Sequence, residues 1–587
     1  MERTLRWTRT LGIALCLLAF GACGNQERPE RAAAGAPPAI AGQGEDGQWP
    51  MAAKDYANTR FSGLEQIDTG NVSRLEVAWT FSTGLGRGHE AAPLIVGSTM
   101  YLVTPFPNQL SALDLTRPGA PVQWVHRSQP AASAQEGACC AGIHRGAAYA
   151  DGRIFYNTWD HQTVALDAET GQEIWTTRLG EVGRGESLTM APLVVKGKVL
   201  VGNSGGEPGV RGWLTAIDAA SGRVAWRASS TGPDQDVLIG PGFQPFYAQD
   251  RGEDLGVRTW PSEAWKSGGG TVWGWISYDP ELDLIYHGTG NPGPSSPDRR
   301  KGDNKWTAGV FARDPDTGEA RWFYQWSPHD LHGDDGVNEN VLLDLRINGR
   351  PRQVMVRPER NGYVYVLDRV TGEVLSADPF VHITTTQGVD LKSGRPIPAP
   401  AKEMVAGKVV REICPASPGA KDWQPSAYSP RTGLLYMPHN NLCQDAEGGE
   451  AGAIAGTSVG ANVRMYPGPG GNRGVFTAWD PVGRRPVWSA RENFPAWSGA
   501  LVTAGDVVFY GTLDGWFKAL DARNGKLLWR FKAGSGIIGQ PVSYRGPDGR
   551  QYVAMLSGQL DPRDTTALQD LPDDTTRGGR LYVFALP

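Results

Sequence analysis

Four cysteines carry the first chemistry that the sequence offers. Cys139 and Cys140 are adjacent, whereas Cys414 and Cys443 lie much further along the chain. A disulfide between neighbouring residues closes a strained ring across one peptide bond, and backbone strain of this kind clusters at functional sites. No Cys-x-x-Cys-His string occurs in the sequence. A covalent c-type haem is therefore excluded, and any electron acceptor must be a separate protein.

The first 48 residues indicate the compartment. Three arginines precede the apolar run 11–20, which is too short for a permanent membrane span and is typical of a signal peptide. Small residues before Cys23 resemble a bacterial lipobox, in which this cysteine is lipidated; an ordinary signal peptide with an incidental cysteine is the alternative. We expect a lipoprotein-type signal peptide over residues 1–23, a flexible tether over 24–48, and export to the periplasm with anchoring to the outer membrane.

Export also bears on the cysteines. Four remain after the signal peptide, and an even number in an exported chain implies disulfides. We expect the pairs Cys139–Cys140 and Cys414–Cys443, and pairing between the distant cysteines is the alternative.

The composition excludes other classes of protein. The formal net charge is −5 over 587 residues, so there is no basic surface for a polyanion, and nucleic acid is not an expected partner. The chain has 77 Gly and 43 Pro, yet 40% of it is apolar, which favours short elements joined by turns over disorder. No later stretch is long enough to cross a membrane, so membrane contact is expected only through the lipid anchor.

A repeated string organises the rest of the chain: apolar-Asp-x-x-(Thr/Ser/Asn)-Gly-x-x-x-Trp. Its Asp and Gly are turn residues. The flanking segments alternate between apolar and polar residues, which is typical of strands. The units end at Trp79, Trp124, Trp175, Trp226, Trp322, Ser376, Trp488 and Trp529. Eight units at roughly 40–50 residues predict an all-β, eight-bladed propeller with long insertion loops, as one domain over residues 49–587. We expect the segment Arg580–Leu586 to close the ring.

These features together resemble the pyrroloquinoline quinone (PQQ)-dependent alcohol dehydrogenases, the quinoproteins of the methanol and ethanol type. The resemblance runs from about Trp49 to the C-terminus and rests on the Trp repeat, the adjacent cysteines and five ordered strings. The strings are Gly88-His89-Glu90, Gly205-Gly206-Glu207, the run GGGTVWGW over 268–275, GTGNP over 288–292 and GDNKW over 302–306.

The resemblance implies a site for PQQ, a flat tricarboxylated quinone. Trp273 would stack on one side of it and the Cys139–Cys140 ring on the other, although a tryptophan of a blade core is the alternative for Trp273. Arg360 would hydrogen-bond the ortho-quinone oxygens and stabilise charge that develops there. The other implied cofactor contacts are Glu90, Arg145, Thr189, Ser204, Gly205, Gly206, Asp422 and Trp497; a structural role stays equally open for the last two.

The resemblance also implies one metal ion, Ca²⁺ or a lanthanide, bound by Glu207 and Asn291 and acting as a Lewis acid. The family carries the string Pro-His-Asp-x-x-Asp-x-(Ala/Ser/Asp)-Gly. Its second Asp is the base that takes the substrate proton. Here residues 328–336 read PHDLHGDDG, which places Gly333 at the position of that base. Asp335 stands where lanthanide-using members carry an additional carboxylate ligand.

Three interpretations of this departure stay open. Asp334 could supply the base after a local backbone shift that Gly333 permits. Asp335 could hold the metal while a different group takes the proton. Alternatively, catalysis is lost and only binding remains.

The predicted function is PQQ-dependent oxidation of a small primary alcohol in the periplasm, with metal-assisted hydride transfer to the quinone and electrons passed to a soluble cytochrome c. Aldehyde as a second substrate is left open. The resemblance also matches Cys414 and Cys443 to a second family disulfide. The competing prediction is a propeller scaffold, or a quinone-binding lipoprotein with lost or altered catalysis.

Overall fold

The computed structural model describes residues 45–135, 142–183, 185–293, 300–405, 407–447, 461–558 and 578–587. Strands dominate these residues, which confirms the predicted all-β class. The helices among them are single turns. They are the α-helices Asp234–Val237 and Leu255–Arg258 and the 3₁₀ turns Val72–Arg74, Ala132–Gln135, Ala248–Asp250, Ala264–Ser267 and Pro400–Lys402. No helix of the described residues is long and apolar enough to cross a membrane.

The first half of the chain forms four antiparallel sheets of four strands, each built from consecutive strands. Sheet 1 contains Leu94–Val96, Thr99–Val103, Leu110–Asp114 and Val122–His126. Sheet 2 contains Ala148–Ala150, Arg153–Thr158, Gln162–Asp167 and Glu173–Arg178. Sheet 3 contains Leu193–Val195, Lys198–Gly202, Trp213–Asp218 and Val224–Ser229. Sheet 4 contains Ile276–Asp279, Leu284–Thr289, Gly309–Arg313 and Ala320–Gln325.

The second half forms four more sheets with the same meander. Sheet 5 contains Val341–Ile347, Arg350–Pro358, Tyr363–Asp368 and Val374–Pro379. Sheet 6 contains Ala427–Ser429, Leu434–Asn440, Gly474–Asp480 and Arg485–Glu492. Sheet 7 contains Leu501–Thr503, Val507–Gly511, Trp516–Asp521 and Leu527–Lys532, with Phe61–Ser62 parallel to its first strand. Sheet 8 contains Val542–Arg545, Gln551–Ser557, Arg580–Ala585 and Glu76–Ser82.

Two smaller sheets lie in the sequence between the end of sheet 5 and the third strand of sheet 6, inside one of the predicted insertions. One is a hairpin of Thr386–Asp390 and Arg395–Pro398. The other joins Val409–Ile413, Leu442–Glu447 and Ala461–Pro467. The disulfide Cys414–Cys443 ties the second of these together, as predicted.

Apolar clusters join each large sheet to the next one in order. Leu94 of sheet 1 shares a buried cluster with Ile154 of sheet 2, and the same pairing continues along the chain. The last cluster contains Phe517 of sheet 7, Phe584 of sheet 8 and Met100 of sheet 1. The sheets therefore form a closed ring, because the eighth packs back onto the first.

The predicted closing strand is present. Arg580–Ala585 pairs antiparallel with Glu76–Ser82, a strand that precedes sheet 1 in sequence. The two ends of the domain thus share one sheet, in which Arg580–Ala585 is paired along both of its edges.

The Trp repeat has a direct structural explanation. The Trp175 indole N–H of sheet 2 donates to the Ala219 carbonyl in the turn of sheet 3, at 3.0 Å. Its ring covers Gly222, where a Cβ would lie 2.7 Å from the indole Cδ2. Gly222 has a φ of +71°, a region that favours glycine. The Trp of one unit therefore requires the Gly of the next. The same pairing joins Trp124 to Gly171, Trp226 to Gly318, Trp322 to Gly372 and Trp488 to Gly525.

The irregular units obey the same rule. Sheet 5 has Ser376 in place of the docking tryptophan. The turn of sheet 6 then carries Arg484, at a φ of +59°, where the repeat has glycine. Without an indole above it, this position has room for a side chain, and Arg484 pairs with Asp378 of sheet 5 at 2.7 Å. An ion pair thus replaces the aromatic contact between these two sheets.

Candidate active site

The residues that the sequence singled out lie at one end of each sheet. The first two strands of every sheet are antiparallel, so the start of the first lies beside the end of the second. Glu90, Arg145, Thr189, Trp273, Asp335, Asp422 and Trp497 come shortly before first strands. Ser204, Asn291 and Arg360 follow second strands. Loops from seven sheets therefore supply the site, which is why the residues are so far apart in sequence.

Arg145 is the centre of the first polar cluster. Its guanidinium lies 3.1 Å from the Glu90 carboxylate, with both side chains at least nine-tenths buried. It also donates to the Thr189 hydroxyl at 2.8 Å, and that hydroxyl lies 2.8 Å from the Ser204 hydroxyl. Burial raises the pKa of Glu90 to about 7, against the effect of Arg145. The arginine Nε has no hydrogen-bond partner in the described part of the chain, so this buried cluster keeps a cationic donor for a further ligand.

Two indoles flank the same arginine. The Arg145 guanidinium lies 4.7 Å from the centroid of Trp273 and 5.3 Å from that of Trp423. Trp273 is not part of the docking repeat, and it packs beside Trp423 and Trp497. The structure therefore brings the predicted Trp273, Arg145 and Trp497 together. Trp423 was missed by the sequence reasoning, although it follows Asp422 directly.

Arg360 is the centre of the second polar cluster. One terminal nitrogen lies 2.6 Å from an Asp422 oxygen and 3.4 Å from an Asp335 oxygen. The other donates to the carbonyls of Gly333, at 3.0 Å, and Ser417. Two carboxylates thus share one buried guanidinium, whose pKa they raise. No atom of the described residues accepts a hydrogen bond from its Nε.

Two of the predicted metal ligands, Asn291 and Asp335, meet beside this cluster. The Asn291 backbone N–H donates to an Asp335 oxygen at 2.7 Å. The side-chain carbonyl oxygen of Asn291 is buried and has no hydrogen-bond partner among the described residues. Burial raises the pKa of Asp335 to about 7; Arg360 opposes this shift, and Glu207 and Asp422 add to it. The described residues contain no group of three His, Cys, Asp or Glu placed to hold a metal, but the predicted set of Glu207, Asn291 and Asp335 has two carboxylates and an amide. An orphaned amide oxygen beside the Asp335 carboxylate suits a hard cation.

The adjacent residue Asp334 belongs to a different environment. Its carboxylate accepts a hydrogen bond from the Ser327 hydroxyl at 2.9 Å. Burial and the neighbouring Asp330 raise its pKa well above the usual range. The Asp330 carboxylate in turn accepts the backbone N–H groups of residues 332, 333 and 334 and fixes the turn. Because of this turn, the Asp335 side chain lies beside Arg360, and the Asp334 side chain lies beside Ser327. The structure therefore does not bring Asp334 into the Arg360 cluster.

Close backbone contacts explain the glycines of the site. Gly205 has a φ of +107°, and a Cβ there would lie 2.2 Å from the Gly185 carbonyl. A Cβ on Gly206 would lie 3.2 Å from the Thr271 hydroxyl. The two glycines let the segment before Glu207 pass between neighbouring loops.

Two sets of predicted residues lie outside the described part of the chain: Cys139 with Cys140, and Cys23. Their predicted disulfide and lipid attachment stay predictions. Trp497 is described, and its indole N–H donates to the Asn440 amide oxygen at 3.0 Å.

Comparison with known proteins agrees with these features. The family described as "Glucose/ethanol/alcohol dehydrogenase, beta-propeller domain", under the name PQQ, matches residues 49–377 and 474–553. A lanthanide-dependent methanol dehydrogenase of Methylacidiphilum fumariolicum is 50% identical, over 92% of this chain and 93% of the relative. Subunit 1 of a cytochrome c methanol dehydrogenase of Methylorubrum extorquens is 42% identical, over 92% and 91% of the two chains.

A solved structure is similar over the same extent. A europium-containing methanol dehydrogenase superposes with a TM-score of 0.89 at 49% identity, covering 92% of this chain and 98% of that one. The sequence similarity, the ring of sheets and the polar clusters around Arg145 and Arg360 all lead to one assignment. The chain belongs to the family of PQQ-dependent alcohol dehydrogenases, the quinoprotein oxidoreductases, as the sequence predicted.

Proposed function

We propose that this protein oxidises a small primary alcohol with PQQ and a metal ion, and that its electrons pass to a separate cytochrome c. One observation carries the proposal: Arg145 and Arg360 are buried in two adjoining polar clusters, and the Nε of each has no hydrogen-bond partner among the described residues. Two such cationic donors, one of them 4.7 Å from the centroid of the half-buried Trp273 indole, suit a flat polyanion. The M. extorquens relative is named for cytochrome c, which supports that acceptor. Aldehyde oxidation is left open.

The residues have distinct tasks in this proposal. Trp273 supports the flat face of the cofactor, and Arg145 and the hydroxyl of Thr189 bind its carboxylates. Arg360 orients the reactive edge by hydrogen bonding. The bound quinone supplies a two-electron acceptor for a hydride. Cys139 and Cys140 are proposed as the opposite wall, in line with the family resemblance.

We further propose a lanthanide rather than Ca²⁺ as the metal, held by Glu207, Asn291 and Asp335. The additional carboxylate of Asp335 lies against Asn291, and an added anionic ligand suits a trivalent ion. The lanthanide dependence in the name of the 50% identical relative supports the same choice. The metal would polarise the substrate or quinone oxygen as a Lewis acid.

The domain and location are proposals of the same kind. The eight large sheets support an eight-bladed propeller over residues 49–587. The apolar run 11–20 and the small residues before Cys23 support export to the periplasm and a lipid anchor, with the outer membrane as its site.

The test is reconstitution of the purified chain without residues 1–23. PQQ is added with La³⁺ or with Ca²⁺, and cofactor absorbance and methanol-dependent dye reduction are followed together. We expect binding with both ions and faster turnover with La³⁺. Binding without turnover under either ion would identify a quinone-binding protein that has lost catalysis. No binding of PQQ would refute the proposed function.

A further inference from the structure

Position 333, where the family string has its catalytic Asp, is a glycine in this chain. Arg360 nevertheless has two carboxylate partners. The Gly333 carbonyl accepts a hydrogen bond from one terminal nitrogen of the Arg360 guanidinium. The other terminal nitrogen forms ion pairs with Asp422, at 2.6 Å, and with Asp335. The negative charge missing at residue 333 is therefore supplied from residue 422, on the loop that precedes sheet 6.

Asp422 is held firmly in this place. The preceding Ala420 N–H donates to the Arg360 carbonyl at 2.8 Å. The buried Lys421 ammonium binds Glu339 at 2.7 Å, and both side chains are fully buried. Gly419, at a φ of +76°, packs against the Arg360 stem, where a Cβ would lie 2.4 Å from Cγ. The loop is thus attached to Arg360 on one side and to a buried ion pair on the other.

Asp422 is also the more accessible of the two carboxylates on Arg360. Its side chain is 18% exposed, whereas that of Asp335 is 3% exposed. One Asp422 oxygen accepts the Trp423 N–H at 2.9 Å, and the other accepts Arg360. A carboxylate has about four lone-pair sites, so each oxygen retains capacity for another proton donor. Asp335 is engaged by the Asn291 N–H and assigned to the metal.

We propose that Asp422 accepts the hydroxyl proton of the substrate alcohol, in place of the carboxylate that position 333 lacks. The inference rests on the proposed function. In the step, the O–H bond breaks and its proton goes to a carboxylate oxygen of Asp422. The C–H bond gives its hydride, with two electrons, to the ortho-quinone, and the alcohol becomes an aldehyde. Arg360, at 2.6 Å, holds the Asp422 carboxylate in place before the transfer.

The test compares Asp422→Asn, Asp334→Asn and the double variant Asp422→Asn/Gly333→Asp with the wild-type holoprotein, each loaded with PQQ and La³⁺. The first readout is binding: quenching of tryptophan fluorescence by PQQ, and bound lanthanum by elemental analysis. The second is kcat and KM for methanol. We expect Asp422→Asn to bind both groups as the wild type does and to lose ~100-fold or more in kcat, the range of general-base catalysis.

The double variant separates a chemical role from a structural one. Gly333→Asp restores the carboxylate of the family string, on the residue whose carbonyl accepts a hydrogen bond from Arg360, so it should recover most of the lost kcat in the Asp422→Asn background. Wild-type turnover in Asp422→Asn, or a loss confined to Asp334→Asn, would overturn the inference and leave the proposed function intact. A wild-type protein that binds PQQ without turnover, or does not bind it, overturns both.

Discussion

The docking of Trp175 on Gly222 predicts a large difference between two similar glycine substitutions in sheet 3. Gly222 and Gly197 both have a φ of +71°. A Cβ on Gly222 meets three indole atoms at 2.7, 2.9 and 3.0 Å, whereas a Cβ on Gly197 meets no atom of the described residues within 4 Å. Gly197→Ala is therefore a control with the same backbone strain in the same sheet.

The expected magnitudes follow from these distances. The left-handed conformation costs an alanine ~1–2 kcal/mol, offset by ~0.5 kcal/mol of lost unfolded-state entropy, so Gly197→Ala should cost about 1 kcal/mol. Gly222→Ala adds displacement of the indole, ~1–3 kcal/mol, and loss of its hydrogen bond to Ala219, ~1 kcal/mol. We expect Gly222→Ala to destabilise the protein by ~2–4 kcal/mol more than the control.

Urea denaturation, followed by circular dichroism, measures both variants. The double variant Gly222→Ala/Trp175→Ala provides the decisive comparison. Without the indole, Gly222→Ala should cost no more than Gly197→Ala does, giving a coupling free energy above ~1 kcal/mol. Equal losses in the two single variants, or additive losses in the double variant, would refute the explanation of the repeat.

Three other variants test further parts of the structure. Glu339→Gln leaves the buried Lys421 ammonium without its charged partner, and we expect the free energy of unfolding to fall by ~3–5 kcal/mol; a loss under ~1 kcal/mol in urea denaturation contradicts this. Cys443→Ser opens a disulfide that spans 29 residues, and it should cost ~3–4 kcal/mol by loop closure, so an unchanged urea midpoint counts against that role. His144 is buried and neutral, because its Nδ1 accepts the Gly146 N–H, and burial lowers its pKa to about 4 from 6.5. The folded state then binds fewer protons than the unfolded state, so stability is fully present above about pH 6.5 and falls toward pH 4; His144→Gln should flatten this fall in urea midpoints measured across that range.

Much of the fold was accessible from the sequence because its cause is local. The Asp and Gly of each repeat form a turn, and the Trp must pack on the next glycine, so eight copies predict successive sheets. The exception at Ser376 was visible as a missing Trp. Its compensation by Arg484 and Asp378 was not, because these residues lie about a hundred positions apart and meet only across two sheets.

The site was accessible through resemblance more than through pattern. The motifs indicated Arg145, Trp273 and Arg360; the structure brings Arg145 and Trp273 together and places Arg360 in the adjoining cluster. Which of two adjacent aspartates faces Arg360 was not readable, because a turn fixed by Asp330 decides it. The Arg360–Asp422 contact joins two loops that are 62 residues apart in sequence, and no local pattern marks such a pair.

The sheet shared by Glu76–Ser82 and Arg580–Ala585 has a consequence for biogenesis. Sheets 1 to 7 can each form as the ribosome or the export machinery releases them, but the strand near the start must wait for its partner. Until residue 585 emerges, the chain is an open arc with an unsatisfied hydrogen-bonding edge at each end. A ribosome that stops before residue 580 therefore releases an open arc in place of a ring, and such a product is a natural substrate for chaperones and proteases.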